Sequence, residues 1–250
     1  MADEQRVYTV GGNAVSAFLS WRLQATNACD VTLVWKNSFE SVSQYGITFK
    51  YSLHRSRQLK QLFADWNTDR NSMAMKDLSP TEVCYLSSQV PLRYFGAELT
   101  MWIVVKTPEE AAHESAGYDY VLLCVKALPD VYNLADIIES VVTPQHTCIL
   151  INTTNNIGIE SHLEKKYPTN VIVSLVSSAE IVQLGASEFE HQSSTEVWVG
   201  AASGNCSIPT SIQSDMAEAL ALTLSSGQVD CRVSDNIRQQ QWEKMIGSVF

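Results

Sequence analysis

The sequence predicts an α/β protein with a doubly wound, mostly parallel β-sheet. Apolar runs such as 30–36 and 118–126 lack the alternation of half-exposed strands, which is typical of strands buried on both faces. Between such runs, apolar residues recur at helical spacing, and strands that alternate with helices form parallel sheets. The chain of 250 residues, 45% hydrophobic and 18% charged, has the composition of an ordinary globular protein.

The beginning of the chain predicts a strand, a glycine-containing turn and a helix. Residues 7–10 are rich in β-formers, and Gly11-Gly12-Asn13 ends the run. The helix is indicated by apolar residues at helical spacing, namely Val15, Phe18, Leu19 and Leu23. With the strand over 30–36, this segment forms the opening of a βαβ unit. Such a turn directs backbone N–H groups and the positive end of a helix dipole at a phosphate, as in Rossmann-type dinucleotide sites.

The glycine turn, defined here as residues 11–16, matches the pattern G-x-G-x-x-G only at Gly11. Asn13 and Ser16 stand at the positions of the other two glycines. Asparagine tolerates positive φ, and serine is small enough for close packing of helix on sheet. On this motif alone, a cofactor site and a strand-turn-helix without a ligand are equally good interpretations. The candidate cofactor-binding residues are Gly11, Gly12, Asn13, Ala14, Val15 and Ser16.

The remaining elements alternate between strand and helix. The expected order is a short strand over 46–52, a helix over 56–66, an irregular insertion at about 67–98 and a strand over 100–105. A helix then starts at Thr107, which is followed by a proline and two acidic residues. The next elements are strands over 118–126, 147–152 and 170–176, with helices over 130–142 and 159–166 between them.

The pattern changes in the last quarter of the chain. Residues 188–191 and 195–200 predict an antiparallel pair, and a helix over 211–224, a strand over 228–233 and a final helix from Ser234 follow. We therefore expect a Rossmann-like domain over 1–205. Residues 206–250 would supply a helix, a strand and the first helix of a truncated C-terminal helical domain. The final helix has an apolar face, which predicts a partner, either more chain or a second subunit in a homodimer.

Charge and composition exclude several classes of function. A formal net charge of -10 argues against a nucleic-acid or anionic-membrane partner. No apolar run is long enough for a membrane span, and the polar, acidic N-terminus is unlike a secretory signal. Six cysteines form no C-x-x-C pair, and five histidines lack metal-ligand spacing. We expect buried thiols in a reducing, cytoplasmic compartment and no metal site.

Five motifs, which span nearly the whole chain in the expected order, resemble the ketopantoate reductase family in its fungal form. They are Val10-Gly-Gly-Asn-Ala-Val-Ser16, Asp30-Val-Thr-Leu-Val-Trp-Lys36, Asp119-Tyr-Val-Leu-Leu-Cys-Val-Lys-Ala127, Asn155-Asn-Ile-Gly158 and Gln241-Trp-Glu-Lys244. The resemblance implies a Rossmann domain that binds NADPH and a C-terminal helical domain that closes over a 2-oxo acid. It also implies hydride transfer to the ketone, with a lysine that polarises or protonates the oxygen.

Three predicted cofactor residues follow from the resemblance and from simple electrostatics. Lys36 closes the second strand, where an NAD site usually has an acid, and a cation there suits the 2′-phosphate of NADP. Lys126 stands at the carboxyl edge of the sheet, where ligands of open α/β sheets bind. Each lysine could instead be a solvated strand end. Asn155 matches an asparagine near the nicotinamide and the substrate, but it could equally be a turn residue.

Lys244 matches the family's catalytic lysine, and with Asn155 it completes the predicted catalytic pair. Its ammonium group would stabilise the alkoxide and supply a proton. Ser248 stands where the family usually has an asparagine, and the family's later helices have no counterpart after Phe250.

Three interpretations of function follow. We favour an NADPH-dependent reductase of a 2-oxo acid or related carbonyl compound in fungal metabolism. The alternatives are a catalytically impaired nucleotide-binding relative and a non-enzymatic interaction protein on a Rossmann scaffold.

Overall fold

A computed structural model of the chain describes residues 4–51, 103–114, 117–128, 130–193, 195–202 and 207–249. Its strands are β1 (Gln5–Val10), β2 (Cys29–Val34), β3 (Thr48–Tyr51), β4 (Ile103–Val105), β5 (Tyr120–Leu123), β6 (Cys148–Asn152), β7 (Ile172–Ser177), β8 (Ile181–Gln183), β9 (Glu188–His191), β10 (Glu196–Ala201) and β11 (Asp230–Val233). Its helices are α1 (Ala14–Gln24), α2 (Phe39–Tyr45), α3 (Pro108–Glu114), α4 (Leu134–Ile137), α5 (Glu160–Lys166), α6 (Thr210–Ser226) and α7 (Ile237–Val249).

The main sheet has eight strands in the order β11-β10-β7-β6-β5-β1-β2-β4. All neighbours are parallel except β7 and β10, which pair antiparallel. From β4 to β7 the order is that of the dinucleotide-binding doubly wound fold. The predicted fold class, a mostly parallel Rossmann-type sheet, is therefore confirmed. A second sheet of three strands, β3-β9-β8, packs beside the first.

Two apolar cores lie on the two faces of the main sheet. Neighbouring residues of one strand enter different cores, as Val7 and Tyr8 of β1 do, because side chains alternate along a strand. One core joins the sheet to α1, α6 and the small sheet, whereas the other joins it to α3, α4 and α5. The continuous apolar runs in the sequence thus result from burial on both faces.

The predicted pairing of residues 188–191 with residues 195–200 is wrong. Strand β9 instead pairs with β3 in parallel and with β8 antiparallel, and β10 joins the main sheet beside β7. Alternation of apolar and polar residues identifies both segments as strands, but the partner of a strand depends on contacts far away in the chain.

The predicted helix over 130–142 is much shorter in the structure, where α4 spans only four residues. The side chain of Asn133 caps its start by accepting from the amide of Ala135. After α4 the backbone continues in turns with bonds from residue i to i−3, as from Val141 to Ile138. The β-branched run Val141-Val142-Thr143 has low helix propensity, while burial of Ile138 and Val141 still orders the segment.

Several predictions fall outside the described residues. The helix over 56–66 and the insertion at about 67–98 belong to this part of the chain, and only residues 48–51 of the predicted strand over 46–52 are described as β3. The domain boundary near residue 205 stays a prediction, although β11, which follows it, lies in the same sheet as β10. Among the helices in the described ranges, none combines the length and apolar character that crossing a membrane requires.

Helix α7 begins directly over β10 because Gly200 has no side chain. A Cβ atom there would lie 2.6 Å from the carbonyl oxygen of Ser234 and 2.9 Å from the Cβ of Ile237. Along α7, Trp242 and Ile246 remain 52% and 55% exposed. The first turn of α7 is therefore packed on the sheet, and the helix keeps an exposed apolar face as predicted.

His191, at the end of β9, is buried beside an aromatic cluster. Its ring lies 5.0 Å from that of Phe18, and its Nε2 is 2.7 Å from the hydroxyl of Thr195. Burial, followed by the positive charge of Arg22, lowers the pKa of His191 from 6.5 to about 4.

We expect this histidine to make the protein less stable at acidic pH. Because the folded-state pKa is depressed, the unfolded chain binds more protons between pH 6.5 and about 4. As the pH falls from 6.5 to about 4, the free energy of unfolding should decrease by about 3 kcal/mol. Urea unfolding at a series of pH values measures it. His191→Gln should flatten the slope, whereas His162→Gln, at an exposed position, should not; equal slopes in both variants would contradict the prediction.

Candidate functional site

Four strands of the main sheet end side by side, and predicted site residues follow their ends. Val10 of β1 pairs with Val34 of β2 on one side and with Leu123 of β5 on the other. The chain leaves β1 for β2 in one direction and reaches β5 in the other, so the gap between β1 and β5 is the topological switch point. The glycine turn, Lys36 and Lys126 thus come to the same carboxyl edge of the sheet.

Gly11 allows the glycine turn to approach the end of β5 very closely. Its φ angle is +135°, and a Cβ atom would lie 2.5 Å from the carbonyl oxygen of Cys124. Gly12 is exposed, and a Cβ there would make an ordinary contact at 3.7 Å with the ring of Trp35, which is buried beneath the turn. The first glycine is thus required by geometry, whereas the second leaves the surface of the turn open.

Asn13 acts as the N-cap of α1. Its φ of −140° is extended, so the expectation that asparagine serves here by tolerating positive φ is wrong. Its Oδ1 accepts from the amides of Val15 and Ser16, both at 3.1 Å, and the hydroxyl of Ser16 accepts from the amide of Asn13 at 3.1 Å. Ser16 is fully buried, as close helix–sheet packing requires. The pair forms a capping box.

The cap decides which amides of the glycine turn remain for a ligand. A helix leaves its first amides without partners, and a phosphate commonly accepts from them. Here the amides of Gly12 and Ala14 have no acceptor among the described residues, while Asn13 already binds those of Val15 and Ser16. Two free amides at the positive end of an eleven-residue helix fit the pyrophosphate of a dinucleotide, with fewer donors than an all-glycine turn offers.

Three exposed lysines follow the ends of the strands. The amide of Trp35, after β2, donates to the carbonyl of Val105, the last residue of β4, at 3.0 Å. Lys36 and Lys106 are the next residues along the chain, so they follow the ends of neighbouring strands. Lys126 lies on the other side of the switch point. Within the described residues, no carboxylate forms an ion pair with any of the three. Lys106 was not predicted as a site residue, although its place directly after an apolar strand was a signal in the sequence.

Asn155 lies exposed in the loop that follows β6, and α7 is bonded to the same loop. The Nε2 of Gln241 donates to the hydroxyl of the buried Thr153 at 2.9 Å. Lys244 is half-buried and lies three residues further along α7, about 4.5 Å along the helix axis. The structure thus brings the segments of both predicted catalytic residues together. The side chain of Ser248 lies outside the described part of the chain.

Gln241 also joins α7 to α5. Its Nε2 donates to Oε1 of Glu160, and this oxygen accepts from the hydroxyl of Ser174 at 2.8 Å. Gln241 is 1% exposed and Glu160 is 7% exposed, and Oε2 of Glu160 has no hydrogen-bond partner among the described residues. No role was predicted for Gln241 itself, although a polar residue on the buried side of a helix was a signal in the sequence.

A pocket opens beside this network, between α5 and the start of α7. The residues that line it are Gly158, Glu160, Ser161, Glu164, Ala201, Asp235, Asn236, Ile237, Arg238 and Gln241. They come from the face of the sheet that carries α5 and α7, and the glycine turn is not among them. The pocket thus borders the loop of Asn155 through Gly158 and Gln241, and the glycine turn, Lys36 and Lys126 do not line it.

Cys124 stands at the switch point but cannot serve as a nucleophile in the resting protein. Complete burial raises the pKa of its thiol to about 12, so the thiol stays protonated at neutral pH. Among the residues that the structure describes, no group of three or more His, Cys, Asp or Glu side chains could hold a metal ion.

These features define the class of the protein, a Rossmann-type α/β domain whose glycine turn, lysines and asparagine follow neighbouring strand ends. Residues 91–204 match the family model of ketopantoate reductase PanE/ApbA. Over these residues the predicted resemblance to the ketopantoate reductase family is confirmed.

Two curated relatives come from the fission yeast Schizosaccharomyces pombe. Meiotically up-regulated gene 72 protein is 34% identical over 248 residues, which cover 97% of this chain and 36% of that protein. An uncharacterised protein of the same yeast is 30% identical over 129 residues, which cover 52% of this chain and 22% of that protein. The chain thus spans about a third of the length of the first relative. Both relatives support the predicted fungal type.

Solved structures share the fold at low sequence identity. The 2-dehydropantoate 2-reductase of Geobacter metallireducens is 18% identical with a TM-score of 0.67, over 98% of this chain and 62% of that chain. The 2-dehydropantoate 2-reductase of Methylococcus capsulatus is 18% identical with a TM-score of 0.63, over 96% of this chain and 60% of that chain. D-mandelate dehydrogenase, in a ternary structure with NADH and anilino(oxo)acetate, is 16% identical with a TM-score of 0.62, over 96% of this chain and 60% of that chain. The chain thus shares the fold of these proteins.

The two glycines of the turn should differ sharply in their tolerance of a side chain. Gly11→Ala places a Cβ against a backbone oxygen at a positive φ, so we expect it to lower the free energy of unfolding by about 2–4 kcal/mol. Gly12→Ala is the matched control and should cost no more than about 0.5 kcal/mol. Urea unfolding of both variants measures the difference. Equal losses would show that the approach to Cys124 does not constrain the turn.

Proposed function

We propose that the protein is an NADPH-dependent reductase that transfers a hydride to the ketone of a 2-oxo acid or a related carbonyl compound. The observation that carries the proposal is the arrangement at the carboxyl edge. There the glycine turn and Lys36 follow the ends of the neighbouring strands β1 and β2, and Gln241 joins α7 to the loop of Asn155. The match to the ketopantoate reductase family supports the same reaction. Because the chain spans only part of its relatives, the activity and substrate of the whole protein are also proposals.

The cofactor would be held by backbone and by cations. The amides of Gly12 and Ala14, at the positive end of α1, would bind the pyrophosphate. Lys36 would pair with the 2′-phosphate of NADPH. An NAD site usually has an acidic residue at this position, and its negative charge would repel the 2′-phosphate. Lys106, at the next strand end, would add positive charge to the same region. When bound, NADPH supplies the hydride.

The substrate ketone would lie between Asn155 and Lys244. The amide of Asn155 would orient the nicotinamide and the substrate. The ammonium group of Lys244 would polarise the carbonyl oxygen, stabilise the negative charge that develops there and donate the proton that completes the alcohol. Lys126 would complete the cofactor edge on the other side of the switch point. A cytoplasmic location is part of the proposal, because the buried cysteines Cys29, Cys124 and Cys148 are free thiols.

A second candidate function is a nucleotide-binding chain that does not turn over substrate, or an interaction protein on the same scaffold. The observation that favours it is the capping box of Asn13 and Ser16, which leaves only part of the anion-binding amides available. The two functions differ in one measurable respect: only the reductase oxidises NADPH when a 2-oxo acid is present.

Two lysine variants test the reductase in complementary ways. Lys36→Ala should weaken NADPH binding about tenfold or more and leave NADH binding nearly unchanged, because only NADPH carries the 2′-phosphate. Lys244→Ala should lower kcat about 100-fold or more with little change in NADPH affinity. Calorimetry measures affinity, and the loss of NADPH absorbance with 2-dehydropantoate and other 2-oxo acids measures turnover. Lys165→Ala, at an exposed position on α5, is the control for both.

Equal losses for NADPH and NADH in Lys36→Ala would remove the 2′-phosphate role. A wild-type chain that binds NADPH but reduces no 2-oxo acid would favour the second candidate function.

We also propose that the exposed face of α7 associates with a second copy of the chain. Trp242 and Ile246 lie one turn apart on this helix, both more than half exposed. Sedimentation velocity over a range of concentrations should show a dimer that Trp242→Ser weakens about tenfold. Leu222→Ser, at a 72% exposed apolar position on α6, is the matched control. A monomer at every concentration would rule the association out.

A further inference from the structure

The side chain of Asn13 occupies the anion-binding end of α1 and bridges the switch point. Its Oδ1 accepts from the amides of Val15 and Ser16, which would otherwise face a ligand. Its Nδ2 donates to the carbonyl of Cys124 at the end of β5. One amide group therefore satisfies donors of the helix and an acceptor of the neighbouring strand.

These bonds compete with a bound phosphate. A pyrophosphate at the start of α1 would accept from the same amides and benefit from the same end of the helix dipole. To reach the amides of Val15 and Ser16 it would have to displace Oδ1 of Asn13. The bond to Cys124 resists this displacement because it holds Nδ2 of the same amide group in place.

We propose that Asn13 limits the affinity of the protein for its dinucleotide cofactor by occupying part of the anion site with its own side chain. The inference rests on the proposed function, because it concerns the same nucleotide site, and it goes beyond it by assigning a residue that opposes binding. A glycine at this position would free the amides of Val15 and Ser16 and the carbonyl of Cys124.

The backbone permits this exchange without a change of fold. Asn13 has φ −140° and ψ 171°, an extended conformation that glycine also adopts. Replacing an asparagine N-cap by glycine costs only a few tenths of a kcal/mol, because the exposed amides are then solvated. Ser16 keeps its bond to the carbonyl of Gly11, so one contact of the turn remains.

The experiment compares NADPH dissociation constants of the wild type and Asn13→Gly by calorimetry at fixed salt. We expect Asn13→Gly to bind NADPH about tenfold more tightly, which corresponds to about 1.4 kcal/mol. Adenosine 2′-phosphate, which lacks a pyrophosphate, is the control ligand, and its affinity should change less than twofold. Equal or weaker NADPH binding by Asn13→Gly would overturn the proposal, as would an equal gain for the control ligand.

Two further variants separate the actions of Asn13. Asn13→Ser retains a cap acceptor but cannot reach Cys124, so its gain should be smaller than that of Asn13→Gly. Asn13→Asp retains the cap and adds a negative charge, so it should bind NADPH more weakly than the wild type. If Asn13→Gly did not fold, absence of any gain in Asn13→Ser would overturn the proposal.

The outcomes also distinguish this proposal from the proposed function. A wild type that binds NADPH as tightly as Asn13→Gly would overturn only the role of Asn13. Binding by Asn13→Gly alone would support that role and show that the wild-type chain is not an NADPH-dependent reductase. If neither bound NADPH, both proposals would fail.

Discussion

The close approach of Gly11 to the carbonyl oxygen of Cys124 is the constraint on which the rest of the carboxyl edge depends. It sets the distance between the end of β1 and the end of β5, and it allows Asn13 to bond across the gap. A side chain at residue 11 would push the two strand ends apart. The same approach decides where α1 begins, and therefore where the positive end of its dipole points.

A second constraint acts through Gln241 and determines the position of α7. The helix is packed on the sheet at Ile237, where Gly200 leaves room, and it is bonded one turn later to Thr153 and Glu160. A buried polar group without a partner costs about 1–3 kcal/mol, so these bonds fix the rotation of α7 about its axis. The position of Lys244 relative to the loop of Asn155 follows from this rotation. A reductase on this scaffold would thus depend on residues that never touch the substrate.

The fold was largely predictable because its signals are local. Buried parallel strands produce apolar runs, and the helix start at Thr107 has a capping residue, a proline and two acidic residues in the expected places. The errors arose where non-local contacts decide. The pairing of β9 with β3 joins residues far apart in the chain, and burial of Ile138 and Val141 orders the segment after α4 in turns, where helix propensity is low.

By itself, the sequence determined the class of fold, the order of the strands and helices along the chain and the place of the glycine turn. These features depend on periodicity and on turn chemistry within a few residues. Only the tertiary structure decided that Asn13 bridges to Cys124, and that Gln241 joins two helices to the loop of Asn155. Those bonds link residues that are 81 to 111 positions apart. A hydrogen bond between distant segments leaves no pattern in the neighbouring sequence, because its partners come together only when the sheet has formed.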